Sequence, residues 1–592
     1  MSDGITRRPS THLAILVVTQ LLFAWRFWFV CDDAYITFRY AKNLAFGYGL
    51  VFNRGEFPPV EGYSDFLWLM LAAASERATL PTDLLIPLVS MVAGTLLVVR
   101  VYRIMHGRLG LGAVPSFLAT LTLAASPAIG VWSTSGLEAM PQTLLTVLLF
   151  EELVFESGRR WGAVALLAMA LATIRTEGLG WIAVVSGASL LAAVLDRRPL
   201  RPLLTNLVLA GLPVAVGLVG YHAWRFQYYA TLVPNTALVK VGFGASTLGR
   251  GLKYVLLFEL TTLVPAISLL GAASLGWVRR RGVPAAITLV AVAYPTYSVV
   301  VGGDFMPFGR MLIPGLPFAA MLLGLGLQEL GRRQGPDRAA IAGIVLVLLG
   351  VLPGMDIHVV PRMVREQLHF RLSDKEYLSE YNRWENQRDN AQGFKNRGLG
   401  LSQVAGDGDA VVAAAVGAIG YFSDLEILDQ HGLVTKEIAY KPLPPGPLTE
   451  SPGHDKHVDP SFFAKYRPRW LYARTVWGKL AAGRMKDTLD QWDINRSVTN
   501  RYVPDYYEIT LPGVNHRAFL LVVRLIEPLE DPAQLWEGFA ARRRALNAEL
   551  RAEYEGGERW QDDDEDDDLI DPIERGPVEG EDEDELDAFL PG

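Results

Sequence analysis

Residues 11–43 run THLAILVVTQLLFAWRFWFVCDDAYITFRYAKN, an apolar block that stops abruptly on two adjacent carboxylates, Asp32 and Asp33. Taken as a helix, the block ending at Val30 is about 30 Å long at 1.5 Å per residue, which matches the hydrocarbon core of a bilayer. Similar blocks recur from there to about residue 357 and then cease. Half the residues are apolar and only 20% are charged, too greasy for an ordinary soluble domain of this length. The expectation is a polytopic α-helical membrane bundle of about eleven spans.

Basic residues decide the direction of the spans. Arg7 and Arg8 precede the first; Arg100, Arg103 and Arg108 follow the second. Arg159 and Arg160, then Arg197, Arg198 and Arg201, then Arg279, Arg280 and Arg281, and lastly Arg332, Arg333 and Arg338 follow alternate later spans. Short loops rich in Arg stay on the cytoplasmic side, so the N-terminus is expected there. Counting Ser64–Leu80 as a span would put the Arg100–Arg108 cluster outside. That block is therefore expected to be a helix lying on the outer surface and packed on protein. A multi-pass protein of the bacterial cytoplasmic (inner) membrane follows, with everything after residue 357 extracytoplasmic.

The chain thus divides into a membrane domain, residues 1–357, with an outer loop at 31–81, and a soluble α/β domain, residues 358–555. The α/β expectation rests on the apolar run Val411–Ile419, on Leu425–Leu428, on Trp470–Val476 and on Ala518–Ile526, all suited to buried strands. Residues 443–460, rich in Pro and Gly with His454 and His457, are expected to form a long loop. The formal charge of −8 is set by an acidic tail, residues 556–592, whose dense like charges predict disorder. The single cysteine, Cys31, excludes an intrachain disulfide and any CxxC metal site.

With this topology the distinctive polar residues of the membrane half fall in the outer loops. Asp32 and Asp33 follow the first span; Glu61 and Tyr63 close the same loop; Arg175 and Glu177 sit at one outer mouth, Asn235 in another loop, Asp304 and Arg310 in a third. Charges at a hydrocarbon boundary are costly unless paired or facing a wet cavity, so their gathering on one face predicts a shared cavity. Adjacent aspartates point in different directions on a helix: one can face substrate while the other orients a cation or caps the helix beginning at Ala34. Arg39 and Lys42, three apart on that helix, share a face and suit a lipid phosphate, as do Arg175 and Arg310. Snorkelling toward headgroups is the structural alternative for each. No P-loop, zincin pattern or nucleophile elbow is present, and no nucleic-acid partner is expected.

The run Asp32-Asp33-Ala-Tyr-Ile-Thr-Phe-Arg-Tyr-Ala-Lys-Asn-Leu44, with Gly49–Asn53, Gly55-Glu56 and Val60–Trp68, resembles the first outer loop of the GT-C membrane glycosyltransferases. Ser135–Glu138, Arg175–Gly178, Pro234–Thr236, Gly302–Met306 with Arg310, and Gly420-Tyr421 with Asp429 and Gly432-Leu433 follow in the order found in the branch holding the mycobacterial terminal arabinofuranosyltransferase. The resemblance covers roughly residues 30 to 435. It implies a GT-C bundle with amphipathic outer helices between the first two spans and a soluble domain over the active site. It also implies a polyprenyl-phosphate sugar donor and a cell-envelope glycan or lipid acceptor. One of Asp32 and Asp33, with Asp32 preferred, is expected to act as general base. Arg39, Lys42, Arg175 and Arg310 would hold the donor phosphate, and Glu61, Tyr63, Glu138, Glu177, Asn235 and Asp304 the sugar or acceptor. No cofactor is expected and no metal-ligand spacing is found, although a divalent cation is compatible with the carboxylates. The competing class is a non-enzymatic transporter or flippase for a lipid-linked sugar.

Overall fold

The structure, a computed structural model, describes residues 9–231, 233–240, 244–274, 282–368, 377–442, 454–477, 501–526 and 530–556. The acidic run from Asp562, the basic cluster Arg279–Arg281 and most of the expected loop at 443–460 lie outside the described residues.

Helix α1 (Pro9–Arg26) ends just before the twin aspartates, and α2 (Asp32–Ala45) begins on them. Every residue of α2 from Ala34 to Ala41 is buried, because the helix lies between the apolar bundle and the C-terminal domain. Helix α3 (Phe66–Arg77) has 12 residues. At 1.5 Å per residue it is about 18 Å long, too short to cross a bilayer, and it packs along α2 as the sequence led one to expect.

Among the described residues six helical segments are long and apolar enough to cross a membrane: 82–108, 178–195, 200–229, 282–301, 310–334 and 336–355. The count rises to eight if each of two bent pairs is one span. One pair is Ala113–Ala124 with Pro127–Thr134, bent by 54°; the other is Ala245–Thr262 with Val264–Gly271, bent by 95°. Pro127 explains the first break, since it opens the second helix without an N–H to offer the preceding turn. The apolar blocks at 139–154 and 161–174 also form helices, of 16 and 14 residues, shorter than those six. The bundle is packed around large side chains that leave no exposed surface, Trp132, Tyr102 and Phe150 among them.

The C-terminal domain holds a five-stranded sheet in the order β2-β1-β3-β5-β4. Strands β1 (Ala410–Ala413), β2 (Glu426–Asp429) and β3 (Trp470–Trp477) pair in parallel; β5 (Ala518–Leu525) runs antiparallel to β3 and to β4 (Tyr502–Ile509). The expected strand over Val411–Ile419 is corrected: only its first third is strand, and Gly417–Ser423 turns into a short helix. Strand β4 escaped the sequence reading because its Pro504 argues against a strand interior. It is tolerated here because β4 is the edge of the sheet.

Two contacts dock this domain on α2. The Asp32 carboxylate accepts from the amides of Gly417 (3.1 Å) and Ala418 (2.8 Å) at the start of that short helix. A Cβ on Gly417 would lie 2.0 Å from the Asp32 carbonyl oxygen, so only glycine permits the approach. Asp424, just past the other end of the helix, gathers three cations: Arg39, Lys42 at 2.9 Å and Arg54 at 3.0 Å. Lys42 and Arg54 keep some contact with solvent, whereas Arg39 is 1% exposed and loses its only carboxylate among the described residues if Asp424 is removed. Asp424 is itself 39% exposed, which lowers the cost below that of a fully buried pair. Asp424→Ala is expected to destabilise domain docking by about 1.5 to 3 kcal/mol. A lower Tm of the detergent-solubilised protein, with faster proteolysis between the membrane half and residue 380, is the measurement that checks it.

Candidate active site

The twin aspartates diverge. Successive residues of a helix are about 100° apart, so Asp32 turned toward Gly417 sends Asp33 elsewhere. The Asp33 carboxylate lies 3.7 Å from the Arg310 guanidinium and is 24% exposed. Arg310 is held in turn by Asp304, Nε to Oδ2 2.6 Å, and its guanidinium carbon is 5.9 Å from the centre of the Trp132 ring. The loop that carries them is made by Gly302 and Gly303, with φ of +88° and +77°. At Gly303 a Cβ would also collide with Tyr254 at 2.7 Å, so the loop both needs the left-handed conformation and leaves no room for a side chain.

Arg175, at the end of the helix Trp161–Ile174, pairs with Glu138 and Glu177. Its charge and those of Asp304, Asp33 and Glu138 all act on Arg310, which makes the two ion-paired groups one cluster. Asp33, Asp304, Arg310, Arg175, Glu138 and Glu177 are thus brought together from four separate stretches of chain. Asp33 is the member of the twin pair that faces it, although Asp32 was preferred as the base.

The other expected residues are elsewhere. Arg39 and Lys42, read as phosphate ligands, are engaged by Asp424, and Arg39 also donates to the Phe52 and Leu425 carbonyls at 3.2 Å. Glu61 holds Arg225 through both oxygens, at 2.6 and 2.8 Å. The Tyr63 hydroxyl accepts from Tyr229 at 3.1 Å. The Asn235 amide donates to the Glu61 carbonyl at 3.0 Å, and its side chain reaches the Gly432 and Leu433 carbonyls at 3.4 Å. These three residues join the loop 31–81 to the C-terminal end of the helix Leu200–Tyr229 and to the C-terminal domain.

Asp65 was not singled out in the sequence. It is buried, and the Thr37 hydroxyl lies 2.9 and 3.1 Å from its two oxygens. Burial, with the charge of Glu138 nearby, pushes its carboxyl well above the usual range, while Thr37 and Arg175 oppose the shift. Nothing in the string Glu61–Asp65 marks which carboxylate would end beside Glu138, so no local signal could have found it. Among the described residues no group of three or more His, Cys, Asp or Glu side chains is arranged to hold a metal ion.

A family model described as "Domain of unknown function (DUF8728)" matches residues 380–517. The chain is 29% identical over 398 residues to the terminal beta-(1->2)-arabinofuranosyltransferase of Mycobacterium tuberculosis, covering 59% of this chain and 60% of that protein. It is also 29% identical over 362 residues to the protein of the same name from Corynebacterium glutamicum, covering 53% and 50%. The chain therefore spans about half to three fifths of the length of the curated relatives it matches. The crystal structure of ArnT from Cupriavidus metallidurans in the apo state superposes with a TM-score of 0.50 at 12% identity, covering 87% of this chain and 98% of that one. The chain shares its fold with ArnT.

Burial, with Asp33 adding to it, raises the Asp32 carboxyl to about 6, against the two amide hydrogen bonds that lower it. A carboxyl whose folded value lies above its unfolded one binds more protons when folded, so its contribution to stability is present at low pH and is lost as pH rises. The wild-type Tm should accordingly carry a component that falls between about pH 4 and 6, and Asp32→Asn should remove that component. Thermal unfolding followed across that pH range in both proteins is the check.

Proposed function

We propose that this chain is a GT-C-type membrane glycosyltransferase. It would move a sugar, arabinofuranose or a similar one, from a polyprenyl-phosphate donor to a cell-envelope glycan or lipid acceptor. The observation that carries the reading is the Asp33 carboxylate 3.7 Å from an Arg310 that is anchored by Asp304 and neighboured by Arg175. The names of the curated relatives support the sugar class, and the ArnT-like fold supports the architecture.

In this scheme the acceptor hydroxyl oxygen attacks the anomeric carbon and its proton passes to Asp33. The bond from that carbon to the donor phosphate oxygen breaks, and the electron pair leaves with the phosphate. Arg310 and Arg175 supply fixed positive charge where negative charge develops, which costs no reorganisation during the step because both are already held by carboxylates. Glu138, Glu177 and Asp304 orient those cations and offer acceptors to sugar hydroxyls. Were α1 and the helices at 139–154 and 161–174 to cross as well as the six and the two bent pairs, the membrane half would have about eleven spans. Its N-terminus would be cytoplasmic, and the reaction would take place on the outer face of the bacterial inner membrane.

One observation favours the transporter class as a second reading. The two bent helix pairs meet around one cavity, lined by Ser126 from the first and by Thr262 and Val264 from the second. The lining is mostly apolar, with Thr122, Ser126 and Thr262 as its hydroxyls, and broken helices are what a transporter uses to bind its cargo. The two classes differ in whether polyprenyl phosphate is released.

Asp33→Asn is expected to lower kcat by about 10² to 10⁴, the usual worth of a positioned base, with little change in Tm. Transfer from a polyprenyl-phosphate arabinofuranose donor, followed by release of polyprenyl phosphate from purified protein, measures it. Unchanged turnover would remove Asp33 as base, and no release by the wild type would favour transport.

A further inference from the structure

The cations of the cluster and of the domain clamp all face carboxylates. Arg26, the last residue of α1, faces none among the described residues: its Nη2 donates to the Tyr381 hydroxyl at 2.7 Å, and no acidic group lies within ion-pair distance. Its guanidinium carbon lies 5.4 Å from the centre of the Phe27 ring and 5.6 Å from those of both Tyr381 and Trp384. Trp384 belongs to the helix Glu380–Val404 that opens the C-terminal domain, and is 1% exposed. Its indole Nε1 is buried without a hydrogen-bond acceptor among the described residues. An unmatched cation and an unmatched N–H donor therefore sit together.

The surroundings add a direction. On α1 the side chains of Val18, Leu22 and Trp25 are 55%, 63% and 75% exposed, and Arg26 continues the same stripe at helical spacing. A single hydrocarbon chain lying along that stripe would bring its head group to Arg26. Arg26 is itself exposed, and its guanidinium lies against three rings of the protein. Arg388 lies on the same indole, 5.2 Å from its centre, although its charge is shared with Asp389 at 2.7 Å and with Glu385. The site adjoins the active-site loop: Glu380 accepts from the Phe308 amide, Arg383 donates to the Phe305 carbonyl, and the Phe27 and Phe308 rings are 6.1 Å apart.

We propose that Arg26 and Trp384 form a binding site for the phosphate of a lipid whose chain lies along Val18, Leu22 and Trp25. A guanidinium with no carboxylate partner supplies the charge and the fork of donors that a phosphate monoester takes, and the indole N–H supplies one further donor. The lipid would be either a polyprenyl phosphate or a phosphate-terminated glycerolipid, which share this chemistry. The site rests on the exposed stripe of the first helix and not on the glycosyl-transfer step, so the two ideas fail separately.

The test is binding by the full-length protein in phosphatidylcholine nanodiscs doped with polyprenyl monophosphate or, separately, with phosphatidate, read by native mass spectrometry. Arg26→Gln is expected to weaken retention of the phosphate lipid by about tenfold, and Trp384→Phe by about threefold. Loss for both lipids assigns a general lipid-phosphate site; loss for the polyprenyl lipid alone assigns one selective for its chain. Either supports the proposal. Retention unchanged in Arg26→Gln and in Trp384→Phe overturns it, as does equal displacement by millimolar inorganic phosphate, which would show that no lipid chain is recognised. Should Arg26→Gln unfold, Arg26→Lys keeps the charge without the fork, and its retention is expected to fall between those of wild type and Trp384→Phe; unaltered retention there, together with unaltered Trp384→Phe, also overturns the site.

Discussion

The docking of α2 against the soluble domain is the constraint on which the site depends. Asp32 spends its carboxylate on the amides of Gly417 and Ala418, and this sets the rotation of the helix about its axis. Asp33, one residue on, is thereby turned toward Arg310. A helix end offers unsatisfied N–H groups and a partial positive charge, so a carboxylate is the natural group to close it. The Asp424 clamp secures the same contact at the other end of that short helix, where Arg39, Lys42 and Arg54 converge. Loosening either contact would let the proposed base swing away from its cation without altering any residue of the cluster.

The cluster itself is over-supplied with acid. Asp33, Asp304, Glu138 and Glu177 surround Arg175 and Arg310, and Asp65 stands behind them. Taking two guanidinium groups out of water is expensive unless their donors are met, and these carboxylates meet them before any ligand arrives. A phosphate entering such a site must compete with existing pairs, so its recognition requires geometry as well as charge. The burial that lifts the Asp65 carboxyl limits the negative charge present near neutral pH.

The soluble domain is tied to the membrane half at several further points. Arg250 and Asp455 form a buried pair at 3.1 Å, and Lys456 reaches the carbonyls of Leu238 and Ala439. Arg383 and Glu380 hold the loop at Phe305–Phe308 from the other side. The loop bearing Asp304 is therefore gripped by groups of both halves, which accounts for two glycines in left-handed geometry being held in one conformation. In this arrangement the C-terminal domain acts as a wall of the site, because its helix Glu380–Val404 and the Gly417 turn both contact the segments that carry the charged residues.

Apolar blocks of membrane length, the Arg-rich turns between them and the abrupt change near residue 357 are local properties, and from them alone the sequence determined a half of apolar helices followed by a half that holds a sheet. It also determined which polar residues stand at the ends of apolar helices, since cost at a hydrocarbon boundary makes such residues conspicuous. It preferred Asp32 as the base where Asp33 is the one turned to the cluster, and it put Arg39 and Lys42 on a phosphate where Asp424 engages them. Those choices were made by partners more than 370 positions away, the Gly417 amide 385 residues from Asp32 and Asp424 385 from Arg39. A hydrophobic pattern records how each residue meets its immediate solvent, whereas the pairing of a buried charge is settled only when distant segments close around it.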